Sequence, residues 1–383
     1  MVENQSLLDL REKAFGADLD SLSARLSELT PAELAHPAAI EIYGVSKYRS
    51  GDVPGAVALL AQAVATPRHQ AHLKSLLFLM RGQYAAGDAD AALLTARRAI
   101  DIDPANQEAL RLAGRVFNQR QDWDRADRFW RQLCEVAPLE IEAAIQVARI
   151  AGRRAEWETQ AFFADLVLRA NPDHLEALRL AIAGRLRSQR LDGVEALLPV
   201  LYRAEPPRAL EFLRSINQPE QAERLAEILA RLKALAPDDD GLWRLAADKV
   251  KAWLALAPRQ EISRKDDLAA LLFRAARRVN PGSRDAAAGL QRLVAGPAAD
   301  MRAALKARDE TTALDHGRRV VAIDPEMEEA WFAMGRLTLT SDSAYAADCF
   351  AHAAELRTDD PWLLLNLGRG MERAERYVEA VQA

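Results

Sequence analysis

The sequence predicts an all-α fold, an α-solenoid of antiparallel helix pairs stacked one on the next. Three observations predict it. Pro104, Pro138, Pro172 and Pro206 follow one another at intervals of 34 residues. Between them, small and apolar residues recur in step. The composition is 50% hydrophobic but only 6% aromatic and is dominated by alanine and leucine. That mix suits close helix packing better than sheets, where β-branched and aromatic residues concentrate.

The elements follow in order. Ser6 to Leu29 reads as a helix, and residues 1–36 as an N-terminal helical cap. A regular array is expected over 37–206. Counting each unit from 1, small residues fall at position 8 and near position 20, and apolar residues at 4, 7, 24 and 27. The unit from Pro37 gives Gly44, a Gly51-Asp52 turn, Ala56 and Ala63; the unit from Leu73 gives Leu76, Leu79, a Gly87-Asp88 turn, Ala92, Ala99 and Pro104. The unit from Gln107 gives Leu110, Ala113, Gly114, Phe117, Ala126, Trp130, Leu133 and Pro138. Positions 4, 7, 8 and 11 are spaced three and four apart and form one stripe of a first helix. Gly or Ala at 8 and 20 lets the two helices of a unit approach, where a leucine would overpack the contact. The late proline forces the residue before it out of the α region and ends the second helix. One such pair cannot bury its own apolar faces and must stack on its neighbours.

Residues 207–300 read as degenerate repeats, because Pro281 and then Pro325 fall out of register. Trp253, Ala269, Phe273, Ala276 and Pro281 keep the pattern there. Pro258 is expected to shorten a first helix, "RQEISRKDD" to make a long charged loop, and "VAGPAAD" to break the array. Residues 301–383 read as C-terminal units, the last incomplete. Trp331, Met334 and Gly335 open one, followed by Ala347 and Ala354; Leu364, Leu367 and Gly368 open another, with Ala380 at its position 20.

These residues resemble the tetratricopeptide repeat family, whose 34-residue unit runs W-x2-L-G-x2-Y, then A-x3-F, then A and P. The resemblance extends over nearly the whole chain from Pro37 and implies a right-handed superhelix of about nine units plus a partial one. It further implies a concave groove lined by positions 2, 5, 9 and 12 of the first helices, a stripe rotated roughly 100° from the buried one.

The net charge of −5 and pI near 5.8 argue against general nucleic-acid binding, which needs a basic footprint. Charges at Glu3, Asp9, Arg11 and Glu12 interrupt any signal-peptide core, and no apolar run approaches the ~20 residues that span a bilayer. Cys134 and Cys349 lie far apart in helical patterns, which suits a reducing compartment. A cytoplasmic protein without membrane insertion is expected.

Catalytic signatures are missing: the sequence has no P-loop, no G-x-G-x-x-G after a strand, no G-x-S-x-G elbow and no C-x2-C pair. His69 and His72 have ligand spacing but no third partner nearby, so a solvated turn is the better reading. His174 reads as a helix cap, and Glu328-Glu329 and Asp359-Asp360 as acids placed at helix starts by the dipole. No catalytic residue, metal or cofactor is expected.

The groove stripe stands out. Position 9 reads Arg81, Arg115, Arg149, Arg336 and Arg369, with Val45 and Ala183 the exceptions; position 5 adds Arg111, Ile145 and Arg179, and positions 12 and 13 add Tyr48, Tyr84, Asn118 and Arg153. Position 2 is acidic at Glu108, Glu142, Glu176 and Glu329. One reading is an arginine ladder that meets the carboxylates of an acidic or mixed-charge protein segment, with Tyr84 and Ile145 as apolar holds. The other is a solvated face on which arginines and glutamates of adjacent repeats neutralise each other. The chaperone-tail clamp of the family is not reproduced, since Glu41, Val45, Leu112 and Glu108 stand at its positions. The asparagine ladder carried by the repeats of O-linked N-acetylglucosamine transferase is matched only at Asn366, while Leu112 and Gln146 depart from it.

The function expected is a non-catalytic scaffold or adaptor that binds a protein partner. The alternative is the recruiting arm of a larger enzyme, because bacterial glycosyltransferases and sulfotransferases of similar layout place such repeats before the catalytic domain. "MERAERYVEAVQA" starts a helix without completing it, so the chain is expected to be the N-terminal part of a longer polypeptide; an immediate natural stop codon would refute that. Self-association through this uncapped end is a third possibility.

Overall fold

The computed structural model describes residues 29–66, 71–357 and 360–374. Twenty α-helices and one 3-10 turn make up their regular structure, and no strand occurs among the described residues. The expected N-terminal helix, His69 and the start of the last second helix lie outside the described residues. The chain divides into two compact units, residues 1–188 and 189–383.

The first unit opens with α1 (Pro31–Leu34), then pairs α2 (Pro37–Arg49) with α3 (Val53–Ala65), α4 (Leu73–Ala85) with α5 (Ala89–Ile102), α6 (Gln107–Gln119) with α7 (Trp123–Val136), and α8 (Ile141–Arg153) with α9 (Trp157–Ala170). It closes on α10 (Leu175–Arg187), packed against α9. The 34-residue prolines do what their chemistry requires. Asp103, Ala137 and Asn171, each just before one, sit at φ −135°, −134° and −141°, and the second helix stops there.

Between the helices of a pair the chain reverses in three residues. At Gly51 and Gly87 the turn needs φ of +89° and +83°, which glycine adopts without a Cβ penalty. The following aspartate then caps the next helix: Asp52 accepts from the Gly55 N–H at 3.0 Å and Asp88 from the Ala91 N–H at 2.9 Å. Gln121 and Ala155 hold the same left-handed position without glycine, at a local cost of roughly 1 kcal/mol.

The small residue at position 8 is where the paired helices touch. A Cβ on Gly114 would lie 2.6 Å from Trp130 Cε2, and Trp130 is fully buried. Around this contact Phe117 stacks on Phe129 at 5.6 Å, with Leu110, Leu133, Val147 and Ile150 completing the core. Burying each large side chain contributes about 1.5–3 kcal/mol.

The second unit is less regular. It contains α11 (Val194–Ala204), α12 (Pro206–Ser215), the 3-10 turn Pro219–Gln221, α13 (Ala222–Leu235), α14 (Asp240–Ile262), α15 (Asp266–Val279), α16 (Arg284–Ala307), α17 (Glu310–Ile323), α18 (Glu328–Thr338), α19 (Ser343–Leu356) and α20 (Pro361–Arg373). Three local expectations are corrected here. Pro258 does not shorten its helix but lies inside α14, flanked by buried Trp253 and Ala257. "RQEISRKDD" is mostly helical, and only Ser263–Lys265 link α14 to α15. "VAGPAAD" is no break, because α16 runs straight through Pro297.

The reason is common to both prolines. Each removes one backbone hydrogen bond and crowds the preceding turn, costing about 3 kcal/mol. Apolar residues buried on both sides, such as Val294, Ala298 and Met301 around Pro297, offset that cost. The surplus residues between Pro281 and Pro325 are taken up in helix length and not in a loop.

One buried charge holds the irregular stretch together. Lys249 of α14 donates from Nζ to the Arg214 carbonyl at 3.2 Å, the Ile216 carbonyl and Asn217 Oδ1 at 2.8 Å. It sits at the C-terminal end of α12, where unpaired carbonyls and the helix dipole favour a cation. Burial still holds its pKa below the ordinary lysine value.

Candidate functional site

In the first unit the groove stripe is closed on itself. In α4, α6 and α8 the position-9 arginine meets position 2 of the next first helix, 27 residues on, while α2 and α10 carry Val45 and Ala183 there. Arg115 donates to Glu142 from Nε at 2.7 Å and from Nη2 at 2.6 Å, Arg81 pairs with Glu108 in the same way, and Arg149 donates to Glu176 from Nε. The carboxylates raise the guanidinium pKa of Arg81 and Arg115 through these hydrogen bonds. Each glutamate also sits in the first turn of its helix, where the dipole favours a negative charge. Arg111 shares the second junction, 3.2 Å from Glu140 and 3.7 Å from Glu142.

The neighbouring side chains also bind one another. Gln119 donates to the Tyr84 hydroxyl at 2.8 Å, and Asn118 donates to Gln146 Oε1 at 2.9 Å. The Tyr48 ring lies 5.1 Å from Phe78, and the Arg153 guanidinium lies 4.4 Å over Trp123. Ile145, at position 5, is only 5% exposed and packs with Val167 and Ala177, so it offers a partner little surface. Arg179, at the same position of α10, is half-buried.

The second unit repeats the junction once among the described residues. Arg302 of α16 donates to Glu329 of α18 at 2.8 Å, again 27 residues on, and the hydrogen bond lowers the Glu329 pKa. Sequence reasoning missed Arg302 because it lies just past Pro297. The 27-residue arginine-to-glutamate offset was the signal that could have found it.

Then the pattern stops. Trp331 and Leu364 occupy the same position of consecutive units yet stand 33 residues apart, one short of a full period. The place that a glutamate holds elsewhere is occupied by Trp362, which is 58% exposed. Arg336 therefore has no ion pair among the described residues and is exposed; Arg369, one unit later, is also exposed. Arg336, Phe332 and Leu337 line a cleft of about 540 Å³ with Leu305, Arg308 and the paired Glu329. Asp309 and Glu310 also line it; Asp309 caps α17 through the Thr312 N–H at 3.1 Å, and Glu310 lies in the first turn of that helix.

A second cleft, of about 720 Å³, lies among α13, α15 and α19 and the loop before α18. Its arginines are paired: Arg274 with Glu223, Arg277 with Asp324 at 2.6 Å, and Arg278 with Glu227 at 4.0 Å. Arg274 and Arg277 thereby tie their helix to its neighbours, while Arg278 stays 56% exposed.

The described residues contain no group of three or more His, Cys, Asp or Glu that could hold a metal ion. Burial pushes the thiols of Cys134 and Cys349 up to about 11, so neither is a ready nucleophile. His72 and His174 both cap helices, accepting from the Lys74 and Ala177 N–H groups at 3.1 and 3.2 Å. No described helix is long and apolar enough to cross a membrane.

No family model matches the chain, and no curated protein matches it. Among solved structures, one of MamA (AMB-1) is 16% identical, with a TM-score of 0.38 over 44% of this chain and 90% of that one. Another of MamA (MSR-1) gives 17% identity and a TM-score of 0.35 over 46% and 95%. A structure of Naa15/Naa10 bound to HypK-THB covers 98% of this chain and 67% of that one, at 13% identity and a TM-score of 0.33. Scores this low leave the fold to rest on the helix order and packing described above.

Proposed function

We propose that this protein is a non-catalytic scaffold of the tetratricopeptide type that holds a segment of a partner protein against the face made by its first helices. The observation that carries the reading is the repeated Arg–Glu junction. It sets consecutive first helices side by side before any partner arrives, so the surface is preformed and little ordering entropy opposes binding. Stacked units of this kind offer an extended surface for a chain segment. The two free thiols fit a reducing, cytoplasmic setting.

Site-specific photo-crosslinking in the native host tests it. Benzoylphenylalanine replaces Tyr84 or Leu365 on the first-helix face, or Arg97 or Arg128 on second helices. Protein adducts are expected from the first pair and not from the second. Equal yields from both pairs would overturn the proposal.

A further inference from the structure

The two kinds of helix in the first unit differ in charge. The first helices α4, α6, α8 and α10 carry nine lysine and arginine side chains against three carboxylates, Glu108, Glu142 and Glu176. The second helices α5, α7 and α9 carry six such cations against seven carboxylates. Each of the three glutamates already holds a position-9 arginine. Of the surplus cations, Arg111 meets Glu140 and Arg185 meets Asp165 of α9.

Two guanidinium groups of this face are held without a carboxylate. Arg153 and Arg187 end α8 and α10, and each lies one helical turn beyond position 9 on the same stripe. Arg153 lies 4.4 Å over the Trp123 ring and Arg187 4.7 Å over the Trp157 ring. Both are exposed, and neither has an ion pair or donates a hydrogen bond among the described residues. A ring contact orders the side chain and leaves its N–H donors available. The acids beside the indoles are taken elsewhere. Asp122 meets Arg125 at 3.4 Å, Asp124 meets Arg154 at 2.6 Å, and Glu156 meets Arg131 and Arg154, both at 3.9 Å. Glu158 has a partner as well.

Resting on the scaffold reading above, we infer that the first-helix face of α4 to α10 docks an extended acidic segment of another protein, whose carboxylates, three residues apart, reach Arg153 and Arg187 in turn. Charge complementarity argues for this occupant, because the first helices carry more cations than their own carboxylates neutralise. A carboxylate arriving at Arg153 or Arg187 displaces no intramolecular one and accepts two parallel hydrogen bonds from a guanidinium already ordered on a ring. Spacing argues for the register. Packed helices stand about 8–10 Å apart. A chain in the polyproline conformation rises about 3.1 Å per residue with three residues per turn, so every third side chain returns to one side after about 9 Å.

The probe is a fluorescein-labelled peptide of four Glu-Pro-Ala repeats, titrated by anisotropy against the full chain. Its controls are the same peptide with Gln for Glu, and an isomer with its four glutamates in one run. The spaced acidic peptide is expected to bind at least ~10-fold more tightly than the Gln form, and more tightly than the clustered isomer. Raising salt from about 0.05 to 0.5 M should erase most of the first difference. Arg153→Met with Arg187→Met should weaken the acidic peptide ~10-fold and leave the Gln peptide unchanged. Methionine keeps a contact with the indole, so the double variant should hold the parental Tm, which serves as the folding control. Arg128→Met, the same loss of charge on a second helix, should leave binding unchanged. Equal binding of the acidic and Gln peptides, or of the spaced and clustered ones, would overturn the inference while crosslinks from Tyr84 still supported the scaffold reading. An equal loss in Arg128→Met would overturn it too. Tighter binding of a twelve-nucleotide RNA than of any peptide would assign the face to nucleic acid, and a concentration-dependent mass that the double variant abolishes would assign it to a second copy of this chain; either overturns the inference. Binding by no peptide, together with crosslinks absent from the first-helix face, would remove both readings.

Discussion

Gly114→Ala sets two well-measured effects against each other. Placing alanine for glycine inside a helix favours the helix by about 1 kcal/mol. The new Cβ, however, would lie 2.6, 2.8 and 2.9 Å from three atoms of the Trp130 indole, against an optimum of about 3.5–4.0 Å between carbons. Trp130 is fully buried and its ring is rigid, so α6 and α7 must separate. Overpacking of this kind costs about 1–3 kcal/mol, and contact with three atoms puts it in the upper half of that range. The net expectation is a loss of about 1–2 kcal/mol, read as a fall in Tm of roughly 3–6 °C for a unit of this size. Circular dichroism melts of Gly114→Ala, Trp130→Phe and the double variant form a cycle. The smaller ring should recover at least ~0.5 kcal/mol of the glycine substitution. A Gly114→Ala protein as stable as the parent or more so would refute the close-approach reasoning.

Two further outcomes follow from described contacts. Arg115→Glu should cost less than about 1 kcal/mol in 0.15 M salt, because both partners are substantially exposed, and adding Glu142→Arg should recover it in urea titrations. Lys249→Met should cost about 1–3 kcal/mol, because it leaves the carbonyl acceptors at the end of α12 without their donor. Lys249 also releases its proton at lower pH when folded than when unfolded. Between those two values the unfolded chain binds more protons, so this residue makes parental stability rise with pH toward 10.5, and the Met variant should lack that increment.

The repeat was legible because its signals are local and chemical. A proline dictates the conformation of the residue before it, and Asp103, Ala137 and Asn171 obey. A Gly-Asp pair supplies the left-handed turn and the cap in adjacent residues, as at Gly51-Asp52. The same local rule misled at Pro258 and Pro297, where burial on both sides outweighed one lost hydrogen bond, and no short window of sequence contains that burial. The arginine column was visible, and so was the column of glutamates, but not whether the two would meet. That depended on the offset of 27 residues matching the stacking of one unit on the next. The stripe also hid a difference between its own rows: position 5 lies toward the seam between units, so Ile145 is covered while Arg115 and Arg149 reach solvent.

The long helix α16 has a consequence for how the second unit comes apart. Its front half presses Gly289 on Phe273 of α15, and its back half lies by Gly317 of α17 and joins α18 through Arg302. Repeat arrays ordinarily unzip at the boundaries between modules, each of which can be lost without the next. Here two modules share one continuous rod, so neither can melt and leave the other its full set of neighbours. Amide exchange should therefore register residues 266–323 as a single cooperative block, with fraying confined to its flanks.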